Sequence, residues 1–132
     1  MMVYNRGIEM INEQQRKMLE CAAKACGFKK WRVLTSGLFQ VSNNGNWNEA
    51  FAKWTGWNPL TNPGDTAEMC AKLLIDTCFY LQLGRVTCDF YYGTDNIRDR
   101  VRVEFKDHDN SRLKAWMYAA TMVAAKIGGY TE

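Results

Sequence analysis

The chain has a single histidine, two prolines and no uninterrupted apolar run of about eighteen residues, and each scarcity removes a class of function. The short apolar runs exclude a membrane-spanning helix, and Glu9, Asn12, Glu13 and Arg16 leave no room for a signal-peptide core near Met1. The lone His108 has no partner pattern around it and precedes the last helix, so it reads as a loop or capping residue before a general base. The phosphate-loop, dinucleotide and nucleophile-elbow motifs are missing. No C-x-x-C occurs, and Cys21 and Cys26 lie about 140° apart around a helix, so neither thiol helps the other to hold a metal. Asp65 with Asp76, or Asp89 with Glu104, can be drawn as acid–base pairs, but capping and surface solvation account for them. The expectation is a protein that is not an enzyme, with no catalytic residues, cofactor or metal.

Apolar and aromatic residues are plentiful. The 132 residues are 47% hydrophobic, with five Trp, six Tyr and six Phe, which suffices for one domain with one core over 1–132. A formal net charge of +3 without blocks of like charge does not argue for nucleic acid, though small anions fit. The five cysteines are odd in number and most lie in apolar runs, which suits reduced thiols in a cytosol.

The clearest local signal is Trp57-Asn58-Pro59-Leu60 leading through Asn62-Pro63-Gly64-Asp65 into a helix. The prolines fix φ and hold Asn58 and Asn62 extended, and Asp65 is read as the N-cap of a helix over about Thr66 to Asp76, with its N-terminus open to an anion. Upstream, Ile11, Gln15, Met18, Leu19, Ala22 and Cys26 form one helical face, capped by Asn12 and ended by Gly27. Trp31 to Val41 reads as a short hairpin around Ser36-Gly37. After the Asn/Gly-rich loop that follows, Trp47, Phe51 and Trp54 read as one helical turn or an ordered aromatic loop.

Downstream, Thr77 to Leu83 and Val86 to Tyr92 alternate like strands around Gly84-Arg85. Gly93 to Asp99 reads as an open hairpin tip, and Arg100 to Lys106 alternates strictly, with Val101, Val103 and Phe105 on the core side. Leu113, Trp116, Met117, Ala120, Val123, Ala124 and Ile127 trace a final helix, capped by Asp109, Asn110 or Ser111 and ended by Gly128-Gly129. The expected class is α+β: a mainly antiparallel sheet of about four to five strands with N-terminal, central and C-terminal helices packed on it in two or three layers.

Trp57-Asn58-Pro59-Leu60, Gly64-Asp65, Ala71-Lys72-Leu73 and the span from Ala119-Ala120 to Lys126-Ile127-Gly128 resemble a family of small bacteriophage proteins. That family reads Trp-Asn-Pro-Leu, an acidic or polar pair, Gly-Asp-Ala and a Leu/Val-rich helix, then strands and an Ala-rich helix; here Thr66 stands where Ala is usual. The order of elements is also similar to the phage ABA sandwich domain. The resemblance covers roughly residues 31–129 and implies phage origin and action in the host bacterial cytoplasm.

If the strands pair as a meander, the face away from the core carries Tyr80, Gln82, Asp89, Tyr91, Arg100, Arg102, Glu104 and Lys106. Aromatic rings stack on bases and guanidinium groups pair with phosphate, so this face suits a nucleotide, although alternating charge also serves merely to solvate a sheet. The first expectation is therefore a phage counter-defence sponge that sequesters a host immune nucleotide signal, a cyclic nucleotide or cyclic ADP-ribose type, without turnover. In it Arg100 and Arg102 neutralise phosphate, Tyr91 or Trp57 stacks on the base, and Asn58, Asp65 and the helix N-terminus at Thr66 read polar groups. Homo-oligomerisation through the N-terminal helix (1–27) or the last helix would build pockets between subunits. The second is a protein-binding inhibitor of a host defence complex such as CRISPR or a nuclease, with the Trp47 to Trp57 loop as its hot spot. The third is a phage accessory protein of structural assembly.

Overall fold

The computed structural model describes residues 11–43, 53–92 and 96–131. The first helix, α1 (Glu13–Ala25), starts in a capping box: the Asn12 carboxamide accepts from the Gln15 backbone N–H at 2.8 Å, and the Gln15 side chain accepts from the Asn12 N–H at 3.0 Å. It ends in a Schellman turn, with Phe28 N–H donating to Ala23 and Gly27 N–H to Lys24, which needs the φ of +86° that Gly27 adopts. Strands β1 (Lys30–Val33) and β2 (Phe39–Ser42) form the expected hairpin, closed by Gly37 at φ +91°, and a two-residue strand β3 (Thr55–Gly56) pairs with β2. Trp54 lies in extended chain leading into β3 and not in a helical turn; Trp47 and Phe51 fall outside the described residues.

Helix α2 (Pro63–Leu73) begins three residues earlier than the sequence suggests, and its cap is Asn62, not Asp65. The reason is Pro63, whose missing N–H costs nothing at the first helical position. Asn62 is then the residue whose side chain can accept from the Asp65 N–H, at 3.1 Å. The helix stops at Leu74, which takes the left-handed conformation at φ 57°. Asp76 is therefore a strand residue. Strands β4 (Asp76–Tyr80), β5 (Arg85–Tyr92) and β6 (Asn96–Glu104) form an antiparallel meander; a 3-10 turn over Leu81–Leu83 joins the first two, and β6 extends into the expected hairpin tip, of which 93–95 lie outside the described residues. The sheet is thus not one of four to five strands. Two three-stranded antiparallel sheets form instead, because the β1–β2 hairpin pairs with β3 and not with the meander.

Ser111 proves to be the cap of α3 (Arg112–Ile127), accepting from Lys114 N–H at 3.0 Å. This helix lies across the inner face of β5 and β6, where Val86, Cys88, Val101 and Val103 are buried, and α1 and α2 pack on α3 in turn. At the sheet edge the Trp116 indole N–H donates to the Thr77 hydroxyl of β4 at 3.0 Å. Ala115, Ala119, Ala120, Ala124 and Ala125 are all buried, and small side chains let α1 come close. At Gly128 the approach is tightest: a Cβ there would overlap the Cys21 backbone carbonyl of α1. Helices α1 and α3 thus pack much of their apolar surface against each other and the sheet.

Gly128→Ala should destabilise the protein by about 1–3 kcal/mol, the range for overpacking against a contact that cannot yield, as a lowered urea midpoint with unchanged slope. Asn62→Ala should cost about 1 kcal/mol by the same measurement, as the loss of a helix cap.

Candidate anion-binding face

Alternation along the meander sorts its side chains between two faces. Val86, Cys88, Val101 and Val103 turn inward. The register pairs Tyr80 with Arg85 and Glu104 in one row, Cys78 with Thr87 and Arg102 in the next, and Asp76 with Asp89 and Arg100 in the third, all on the outer face. A shallow cavity of about 210 Å³ opens there, lined by Tyr80, Arg85, Thr87, Arg100 and Arg102, with no carboxylate in its lining.

The three arginines are not equivalent. Asp89, largely buried, accepts from Arg100 Nε at 2.7 Å and from Nη2 at 3.3 Å, a forked pair that commits two donors of a half-exposed guanidinium. Arg85 and Arg102 make no ion pair among the described residues; Arg102 stands opposite Thr87 and Arg85 two residues before it on the same face, with Glu104 across from Arg85. The Asp89 hydrogen bond and carboxylate charge hold Arg100 above its ordinary pKa, and Tyr80 and Tyr91 are near neighbours of the same guanidinium. The Tyr80 phenol is held above its ordinary pKa by its hydrogen bond with the Cys78 thiol, so it stays neutral at physiological pH.

The site residues expected from sequence separate into two groups. Tyr91, Arg100 and Arg102 share the outer face. Trp57, Asn58, Asp65 and Thr66 do not join them: they lead into and begin α2, which packs against α3 on the inner side of the sheet. Trp57 is only 6% exposed, wedged edge-on to Phe28 with ring centroids 5.4 Å apart and tilted on Phe39 at 6.2 Å. Asp65 accepts from the Asn58 N–H at 2.9 Å, and the Thr66 hydroxyl donates to the carbonyls of Pro59 at 2.7 Å and Asn62 at 3.0 Å. At the N-terminus of α2 the Asn62 side chain takes the Asp65 N–H, and the Asp65 carboxylate lies in the first turn, where an incoming anion would meet like charge. Trp54 is covered by the Arg32 guanidinium at 4.1 Å, so two of the three Trp rings of the suggested hot spot are engaged within the chain. The pairing of Asp89 with Glu104 as acid and base also dissolves, since Asp89 is committed to Arg100 and Glu104 stands opposite Arg85. His108 stacks on Tyr118 with ring centroids 4.9 Å apart.

Sequence reasoning passed over Arg85 and Thr87. Arg85 was assigned to a turn, yet the parity that puts Asp89 and Tyr91 on the outer face puts Thr87 and Arg85 there too. Among the described residues no group of His, Cys, Asp and Glu is placed to hold a metal ion, and no helix is long and apolar enough to cross a membrane. No family model, curated protein or solved structure matches the chain.

The forked pair makes a testable asymmetry. Arg100→Ala leaves the Asp89 carboxylate without its partner and should lower the urea midpoint, whereas Arg102→Ala should leave it close to the parent's. The buried thiols set a second one. Burial pushes Cys26 and Cys88 up to about 11 and Cys70 up to about 12. A thiol whose pKa is raised by folding holds its proton longer in the native state, so its stabilising contribution is complete below about 9 and is lost as pH rises through 11 to 12. Unfolding free energy should therefore decline above about pH 9, and a variant with all three replaced by Ala should decline less steeply.

Proposed function

We propose that the outer face of the meander binds a phosphorylated small molecule of the nucleotide class and holds it without turnover. The observation that carries this reading is the pair of guanidinium groups, Arg85 and Arg102, that make no ion pair among the described residues and line the cavity together with the Thr87 hydroxyl. Two guanidinium groups that share one cavity repel each other and gain most from an anion with several oxygens. A phosphate accepts from both forks and from the hydroxyl between them.

The size of the cavity limits what enters it. At about 210 Å³ it falls below the range of about 300–1,000 Å³ typical of enclosed ligand pockets, so it takes one phosphate-sized group and the remainder lies over the open sheet. Tyr80 borders that open surface and Tyr91 flanks it beyond Arg100, each offering a ring on which a base can stack. Nothing in the lining is poised to break a bond: it holds no carboxylate, histidine or cysteine. In the phage setting that the Trp57 to Leu73 motif resembles, the ligand is a host immune nucleotide signal, and stoichiometric capture lowers its free concentration.

A thermal-shift panel of cyclic di- and trinucleotides and cyclic ADP-ribose isomers tests this. A ligand present at 100 times its dissociation constant should add about 2.7 kcal/mol of stability. It should be released unchanged on heating. Arg85→Ala and Arg102→Ala should each weaken binding by about 10–100-fold, the size of a charge-assisted hydrogen bond, and rising salt should weaken it further. Stabilisation that survives both substitutions, or a chemically altered ligand, would sink the proposal.

A further inference from the structure

Two tyrosines stand on the outer face of the meander, Tyr80 of β4 at 45% exposure and Tyr91 of β5 at 36%. Among the described residues neither ring stacks on another ring or beneath a cation. The Tyr80 hydroxyl is already bonded to the Cys78 thiol, so what this residue offers a ligand is its ring. Register sets the distance between the two. Tyr80 stands opposite Arg85, and the strand from Arg85 to Tyr91 covers about 20 Å at about 3.4 Å per residue. Arg100 pairs with Asp89 part-way along that stretch and is a near neighbour of both rings; Arg102, opposite Thr87, lies one row closer to Tyr80.

We infer that the outer face of β4, β5 and β6 is a platform for single-stranded nucleic acid of about four nucleotides, stacked on Tyr80 at one end and on Tyr91 at the other, with its backbone over Arg102 and Arg100. Because it extends the phosphate position at Arg85 and Arg102, it rests on the function proposed above. Length selects the strand. A single nucleotide whose phosphate occupies the cavity reaches one ring, and only a chain of several nucleotides crosses to the other. About four nucleotides is the lower end of the range of about 4–16 that single-strand-binding folds occupy.

Charge agrees along the same path. The cavity is lined by three guanidinium groups and by no carboxylate. Asp89 takes two of the five N–H donors of Arg100, which leaves three for a second phosphate. A duplex gains less from this face, because its bases are stacked on one another and present no face to a tyrosine ring. Ring stacking and phosphate pairing do not read base edges, so the strand is held whatever its sequence.

Fluorescence anisotropy with a fluorescein-labelled tetrathymidylate, competed by shorter and longer unlabelled oligothymidylates, tests this. Affinity should rise at least about 10-fold from dinucleotide to tetranucleotide and then level off. Tyr80→Ala and Tyr91→Ala should each weaken the tetranucleotide by about 5–100-fold, the loss of one base–aromatic stack, and Tyr91→Phe, which keeps the ring, should bind like the parent. The dinucleotide should be indifferent to Tyr91→Ala. A tetranucleotide that binds no better than a dinucleotide, indifference of the tetranucleotide to Tyr91→Ala, or equal affinity for a twelve-base-pair duplex would overturn the inference. The two readings fail separately. If cyclic nucleotides stabilise the protein through Arg85 and Arg102 while the tetranucleotide does not bind, the small-ligand reading stands and the strand is lost. If Arg85→Ala and Arg102→Ala leave tetranucleotide and cyclic-nucleotide affinity untouched, both are lost.

Discussion

The fold depends on how closely two helices can approach. Helix α3 is covered on one side by α1 and on another by the β5–β6 face, and an ordinary helix with Leu-sized side chains all round could not be so tightly enclosed. Alanine at five buried positions and Gly128 against the Cys21 carbonyl thin it enough. Little side-chain entropy is lost by burying alanine, so the helix can be enclosed without the rotamer cost that larger residues carry. The apolar bulk of the core comes instead from its neighbours: Met18 and Leu19 from α1, Met69 from α2, Val86 and Val103 from the sheet.

With α3 enclosed, the sheet's inner face is committed to the core along β5 and β6, and its outer face is left to solvent. Strict parity then decides which side chains solvent meets. The outer face gathers three arginines, two tyrosines and three carboxylates, a nearly balanced set in which position, not net charge, makes an anion site. Asp89 takes Arg100 as its partner, Asp76 lies beside Asp89 at the far end, and Arg85 and Arg102, in no ion pair among the described residues, gather around Thr87 with Glu104 across from Arg85. The protein's overall charge of +3 carries no hint of this.

Elements with strong periodicity or strong stop signals were legible in the sequence. Asn12, Gly27 and the Gly128-Gly129 pair bounded α1 and α3, and the strict alternation of Arg100 to Phe105 put the right residues in the core. The cap of α2 was misread because Asn62 and Asp65 are both good caps; Pro63, pre-set for the first helical position, decided for Asn62. The division into two sheets was not legible, since strand patterning says which face is buried but not which strands pair. Half of the candidate site followed from parity. The other half failed because the Trp57 to Thr66 segment has a composition that serves binding and loop anchoring equally, and its donors are used within its own turn.

One small contact at the sheet edge has a wider consequence. The Trp116 indole donating to the Thr77 hydroxyl ties β4 to α3 from behind, where strand bonding alone would hold it on one side only. An edge strand free to fray must be ordered at each encounter, at about 1–2 kcal/mol of backbone entropy per residue. This one is ordered beforehand. Holding one residue of the edge from behind lowers the entropy lost in keeping the rest of the strand in register.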